Sequence, residues 1–86
     1  MHAELDALIL AESAAAEAFN AADIAHINAK RAHEASWRER WGGAADRTGE
    51  ARANLASARK AADEALKALN TARFARLYLA ESLGIL

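Results

Sequence analysis

The chain has 86 residues and a formal net charge of −1, and 26 of its residues are alanine. It contains no Pro, Cys or Val, so disulfides and Cys-based zinc sites are excluded. Only four Ile and two Thr are available as β-branched residues, which argues against a β-sheet. The abundant residues are Ala, Leu, Arg, Lys and Glu, the strongest helix formers, and they predict one all-α domain.

Large apolar residues are few, because 20 apolar residues remain when alanine is left out. A single core in so short a chain is marginally stable, so we expect association with a second copy or with another protein. The apolar run 8–11 is too short to span a bilayer. Residues 1–23 lack the Lys or Arg of a cleaved secretory signal. The expected location is the cytoplasm, or outside the cell after export without a cleavable signal peptide.

The first predicted element is a helix over about residues 3–41, which contain neither Gly nor Pro. Weak helix formers at Asn20–Asn28 leave a kink or a division into two helices as an alternative. Gly42 and Gly43 predict a turn at 42–46, in which Gly42 ends the helix in a left-handed conformation.

The second predicted helix covers about residues 47–83. Asp46 or Thr48 is the expected N-cap, and Gly84 closes the C-terminal end. Two long helices with one short connection predict an antiparallel hairpin, which we expect to dimerise into a four-helix bundle.

Charge is distributed unevenly along the chain. Residues 1–23 carry five acidic and no basic residues, whereas all eleven Lys and Arg lie within residues 24–80. An antiparallel hairpin sets the acidic start of helix 1 beside basic side chains of helix 2. Such ion pairs decide how the two helices align along their length more than they raise the free energy of unfolding. The basic residues in question are Lys60, Lys67, Arg73 and Arg76.

Apolar periodicity predicts which residues lie between the helices. In the first helix Leu5, Ala16 and Ile27 are eleven residues apart, a spacing close to that of a straight helix. At the start of the second helix the spacing of apolar residues is closer to a seven-residue repeat. The predicted helix seam consists of Leu5, Leu8, Ile9, Phe19, Ile27, Leu55, Leu66, Leu69, Phe74 and Leu77.

The sequence SWRERWGG, residues 36–43, predicts a contact site at the turn end of the hairpin. Trp37 and Trp41 are four residues apart and share a helix face, and Trp and Arg are the types most enriched in binding hot spots. The alternative is that both rings fill the turn end of a dimeric bundle. The predicted partner-binding residues, which we call the turn-end patch, are Trp37, Arg38, Arg40, Trp41 and Arg47.

A helix that ends in Trp41-Gly42-Gly43 near the middle of a chain this size resembles the Trp-Xaa-Gly family of type VII secretion, the early-secreted-antigen-like hairpins. The resemblance implies that Trp41 and Gly43 form the turn motif between two long helices. It also implies a four-helix dimer and export without a cleaved leader. In that family a Tyr near the C-terminus is followed four residues later by an acid, whereas here Tyr78 is followed at that spacing by Ser82.

Signals for catalysis or cofactors are missing from the sequence. There is no Gly-rich phosphate loop, no Gly-x-Ser-x-Gly and no His-Glu-x-x-His, and we predict no catalytic, cofactor-binding or metal-binding residue. His26 and His33 are seven residues apart, too far for one metal ion on one helix.

We therefore expect a non-enzymatic protein-binding module that uses the seam and the turn-end patch. A small phage- or mobile-element-type inhibitor of a larger protein machine is the alternative. Nucleic-acid binding through the basic turn end is a further, less favoured one.

Overall fold

The computed structural model describes residues 2–41 and 47–85, without the side chain of Arg40. Helix α1 spans Ala3–Trp41 and helix α2 spans Thr48–Ser82, and the two pack against each other as a hairpin. The rod measures 64 × 15 × 14 Å. The predicted all-α, two-helix hairpin is therefore confirmed, whereas the predicted turn at 42–46, with Gly42 and Gly43, lies outside the described residues.

Helix α1 runs without interruption through Asn20–Asn28, so the alternative of a break there is wrong. Polar residues in this segment cost little helix propensity each, and packing against α2 overrides that cost. At the start of α1, the backbone N–H of Asp6 donates to the His2 carbonyl at 2.9 Å. Glu4 and Asp6 in the first turn are favourable for the helix dipole.

The ends of α2 differ in how they are capped. Thr48 is the first helical residue rather than the cap, and Arg47 occupies the N-cap position without a side-chain cap hydrogen bond. At the other end Gly84 has φ +73°, and its N–H donates to the Glu81 carbonyl at 3.0 Å. The Ile85 N–H donates to the Ala80 carbonyl at 3.0 Å, which completes a Schellman motif. Gly84 therefore ends α2, because its left-handed conformation is strained for other residues.

The contact between α1 and α2, called the α1–α2 interface below, follows a heptad repeat on both helices. Buried and half-buried residues recur at alternating spacings of three and four, the a and d positions of a coiled coil. The a and d positions hold Leu5, Leu8, Glu12, Ala15, Phe19, Ala22, His26, Ala29, His33 and Ser36 on α1, and Thr48, Ala51, Leu55, Ala58, Ala62, Ala65, Leu69, Ala72, Arg76 and Leu79 on α2. Four further buried or half-buried residues lie at the edge of these rows, namely Ala16, Asp23, Leu77 and Ala80.

Alanine dominates one of the two rows in this interface. The d positions of α2 hold Ala51, Ala58, Ala65 and Ala72 before Leu79, and the d positions of α1 hold three alanines in succession. Because a methyl group projects little from the helix, these rows allow the two backbones to approach closely. Most larger apolar residues of the interface, such as Phe19 and Leu69, lie in the a rows, whereas Leu8 and Leu79 occupy d positions near the termini.

This arrangement corrects four residues of the predicted seam. Ile9, Ile27, Leu66 and Phe74 are 46%, 43%, 41% and 70% exposed, so they lie outside the α1–α2 interface. The prediction assigned large apolar side chains to the seam because of their size, whereas the alanines decide which heptad positions face the other helix. Five of the remaining six, Leu5, Leu8, Phe19, Leu55 and Leu69, occupy a and d positions of the interface, and Leu77 is half-buried at a b position beside it.

The close approach of the helices predicts that a larger side chain in the interface is unfavourable. Ala62 is 6% exposed and faces α1, whereas its neighbour Ala61 is exposed. We expect Ala62→Leu to lower the free energy of unfolding by about 1–3 kcal/mol through overpacking. Ala61→Leu should leave it nearly unchanged, since Leu is almost as good a helix former as Ala.

Urea unfolding followed by circular dichroism measures both variants under the same conditions. Equal stability of the two proteins would show that the interface has room for three more carbon atoms, contrary to a close approach of the backbones.

Candidate protein-binding surface

The turn end of α1 carries two exposed aromatic side chains. Trp41 is 83% exposed and Trp37 is 37% exposed. Together with Glu34 and Arg38 they line a shallow depression on the outside of the hairpin. The helix brings these four residues together because Trp37 and the adjacent Arg38 lie three or four residues from both Glu34 and Trp41, on adjoining turns of one face. Three members of the turn-end patch, Trp37, Arg38 and Trp41, therefore lie side by side.

The other two members of the turn-end patch are placed differently. Arg47 lies on the opposite flank of the hairpin, where it lines a second depression with Glu39 and Glu50. The side chain of Arg40 is not among those that the structure describes. The structure thus divides the basic residues around the turn between two flanks instead of gathering all of them beside the two Trp rings.

His33 supports Trp37 from the preceding helical turn. The Trp37 indole Nε1 donates to His33 Nε2 at 3.3 Å, and the two rings meet edge to face with centroids 6.4 Å apart. The Ser36 hydroxyl donates to the His33 carbonyl at 2.7 Å. His33 and His26 both lie at a positions of the α1–α2 interface, half-buried. Trp37 is therefore held against the helix, whereas Trp41 projects into solvent.

An ion-pair cluster near the terminal end fixes how the two helices align. Glu12, at an a position of α1, accepts hydrogen bonds from Arg76 and, at 3.3 Å, from Arg73 Nε. The Glu12 side chain is 18% exposed. The predicted pairing of the acidic start of α1 with Arg73 and Arg76 is confirmed, while Lys60 and Lys67 form no ion pair among the described residues.

The cluster changes the titration of both partners. Hydrogen bonds from Arg76, and then from Arg73, lower the pKa of Glu12 below its ordinary value of 4.5, against the opposing effect of desolvation. The hydrogen bond to Glu12 raises the pKa of Arg76. A carboxyl with a lowered pKa in the folded state stabilises that state while it is ionised.

The lowered pKa of Glu12 predicts a loss of stability in acid. The contribution of this carboxylate is complete above about pH 4.5, its value without the arginines, and disappears as the pH falls through the lower pKa of the folded state. Glu12→Gln should therefore lower the melting temperature at pH 7 and reduce its dependence on pH between 5 and 2. Thermal unfolding by circular dichroism at several pH values measures this.

Glu17→Gln is the matched control, because Glu17 is exposed on the same helix and its replacement removes the same charge. Identical pH profiles for Glu12→Gln and Glu17→Gln would contradict a specific role of the cluster.

Two further apolar surfaces were not predicted as exposed. Phe74, Leu77 and Tyr78 line a shallow depression on the outer side of α2 with Glu81. On α1, Leu10 and Ile24 are 70% and 59% exposed. The heptad repeat places the side chains of both surfaces on the outside of the hairpin. The sequence indicates this placement only when alanine is counted as an interface residue, because alanine then sets the phase of the repeat.

The part of the chain that the structure describes contains neither a cluster of metal ligands nor a membrane-spanning helix. No three His, Asp or Glu side chains gather there in a way that could hold a metal ion. Neither helix has an apolar stretch that is long enough to cross a membrane.

No protein-family model matches the chain, and no curated protein or solved structure matches it.

Proposed function

We propose that this chain is a non-enzymatic protein-binding module, in which Trp41 and Trp37 of the turn-end patch anchor the hairpin on another protein chain. The observation that carries the proposal is the exposure of Trp41, because a large aromatic ring with no role in the fold loses its contact with water only by binding. Arg38 borders the two rings, and Trp and Arg are the residues that most often dominate binding energy.

The thin core supports the same proposal. Among the described residues no large side chain is fully buried, and the buried apolar residues are three alanines and Leu69. A second pair of helices against the hairpin extends this core into a four-helix bundle. The bundle is therefore part of the proposal, with the second hairpin supplied by another copy or by a different protein.

Kinship with the Trp-Xaa-Gly family is a narrower form of the proposal. In its favour, α1 ends at Trp41, the position at which that family places its Trp, and the chain folds as a two-helix hairpin. Gly43, the other motif residue, lies outside the described residues. The kinship adds export without a cleaved leader to the proposal.

Replacement of Trp41 tests the proposal. We expect Trp41→Ala to leave the melting temperature of the dilute chain almost unchanged, because the side chain is 83% exposed. Binding to a protein partner should weaken by roughly 30-fold, the equivalent of about 2 kcal/mol for a hot-spot residue. Circular dichroism measures the stability, and the chain as immobilised bait measures the binding of proteins from source cells, with the Trp41→Ala chain as the matched bait.

Two results would contradict the proposal. Loss of stability in step with loss of binding would assign Trp41 to the fold instead of to a contact. Capture of the same proteins in the same amounts by both baits would show that Trp41 does not contribute to binding.

A further inference from the structure

One side of the hairpin near the turn carries basic and aromatic side chains together. Between residues 24 and 64, the e positions of the heptads hold Lys30 and Trp37 on α1 and Arg52 and Arg59 on α2, all of them exposed. In an antiparallel pair, the e positions of both helices lie on the same side. The neighbouring b position near the end of α1 adds Trp41. We call the surface made by these five side chains the basic flank.

The opposite side of the rod at the same end is acidic. Ala32 and Glu39 of α1 line a depression with Arg47 and Asn54 of α2, which shows that the g positions of both helices share that side. Among the helical residues between 24 and 64, the c and g positions hold three acidic residues and one basic residue, whereas the e, b and f positions hold six basic and two acidic ones. The basic surplus of the turn end therefore lies on the side of the basic flank.

The register of the hairpin places the cations of the basic flank at defined levels. The ion-pair cluster near the termini aligns the helices, so residues of α1 and α2 are level with each other when their numbers add to about 88. Lys30 is thus level with Arg59, and one heptad nearer the turn Trp37 is level with Arg52. In coiled coils the e positions usually hold opposite charges that pair across the contact. Here two like charges face each other instead, and a carboxylate placed between them has two cations to bind.

These cations are not neutralised by the hairpin itself. Within the described part of the chain, every ion pair belongs to Glu12, which lies nearer the termini. Lys30, Arg52 and Arg59 therefore keep their charges available to another molecule. Charges of one sign on a binding surface speed the approach of partners of the opposite sign and disfavour partners of the same sign.

The two Trp rings continue the basic flank to the end of α1. With Glu34 and Arg38 they line the shallow depression at the turn end. From Lys30 to Trp41 the flank is eleven residues long, about 16 Å, or three turns of a helix. Large aromatic surface beside unpaired cations suits a partner that offers apolar and acidic groups together.

The hairpin favours a helix over an extended peptide as the occupant. Both α1 and α2 bond their backbone groups internally, so the flank offers no strand edge to which an extended chain could add. A helix satisfies its own backbone and fits the groove between two helices with an apolar face. About 12 residues of such a helix cover the basic flank.

Acidic residues beside the flank favour a protein over a nucleic acid. Glu34 lies in the depression with the two Trp rings, and Asp63 occupies a b position one turn from Arg59. A nucleic acid carries a phosphate at every nucleotide, so its backbone would bring negative charge against these carboxylates. A helix carries acidic side chains only at chosen positions and can place them on the cations alone.

From this placement we propose that the basic flank binds an acidic amphipathic helix of a partner protein. Apolar side chains of that helix cover Trp37 and Trp41, and its carboxylates pair with Lys30, Arg52 and Arg59. This inference rests on the proposed function, because it names the chemistry of the partner that the two Trp rings anchor.

Three synthetic helical peptides test the chemistry of the partner. The first has Leu on one face and Glu elsewhere, the second has Lys in place of Glu, and the third has Ser in place of Leu. Trp37 and Trp41 are the only Trp residues of the chain, so Trp fluorescence reports on the basic flank. We expect the Leu/Glu peptide to shift the emission to shorter wavelength and to bind about tenfold more tightly than either of the others at low salt. Its advantage over the Leu/Lys peptide should shrink as the salt concentration rises.

Charge reversal on the chain tests the flank itself. We expect Arg52→Glu and Arg59→Glu each to weaken binding of the Leu/Glu peptide about tenfold, and the double variant to prefer the Leu/Lys peptide. Lys67→Glu is the matched control, because Lys67 is exposed at an f position of α2 away from the flank, and the same charge is reversed there. Circular dichroism should show the same helix content for all of these chains, since the replaced side chains are exposed.

Each of the other results overturns the inference. Equal binding of the Leu/Glu and Leu/Lys peptides, equal weakening by Arg52→Glu and Lys67→Glu, or binding of none of the peptides would show that the flank does not select an acidic helix. A DNA duplex that binds more tightly than the Leu/Glu peptide, and more weakly to Arg52→Glu, would assign the flank to nucleic acid. Self-association of the chain that Arg52→Glu abolishes would assign it to a second copy.

The proposed function is decided separately by the bait experiment with Trp41→Ala. Proteins that are lost from the Trp41→Ala bait but captured equally by Arg52→Glu would support the proposed function while this inference fails.

Discussion

Close approach of two helices through rows of alanine is the constraint on which the rest of this structure depends. Because methyl groups fill the d positions of α2 from Ala51 to Ala72, the hairpin holds few large side chains between its helices. Helix contact is extensive, yet the area removed from water per residue is small. The consequence is a rod 64 Å long whose remaining large apolar residues lie on its outer surfaces.

A contact made of alanine specifies register poorly, since one methyl group fits where another does. The polar layer of Glu12 with Arg73 and Arg76 supplies the missing specificity, because the half-buried carboxylate loses its hydrogen bonds if the helices slide by one heptad. Buried polar residues in coiled coils have this role at some expense in stability. Leu5, Phe19 and Leu69 in the a rows add size at defined levels of the interface.

The proposals for binding follow from the same division of residues. Alanine occupies most d positions of the α1–α2 interface, and many of the large apolar side chains lie exposed on the outside of the rod. Residues 2–23 and 65–85 together carry a net charge of −3, whereas residues 24–64 carry a net charge of +2. Exposed apolar area and opposed charge together favour contact with another helical surface over an isolated rod in water.

The sequence by itself determined the all-α class, because its composition offers few strand formers and many helix formers. It also determined the two-helix hairpin, because Gly42 and Gly43 interrupt two long runs of helix formers. It also indicated that the acids at the start of α1 meet Arg73 and Arg76. Only the tertiary structure decided which residues lie inside. Ile9, Ile27, Leu66 and Phe74 follow an apolar period but lie outside the interface, because the phase of each helix is set by the closest approach of the backbones, which alanine permits and larger side chains prevent.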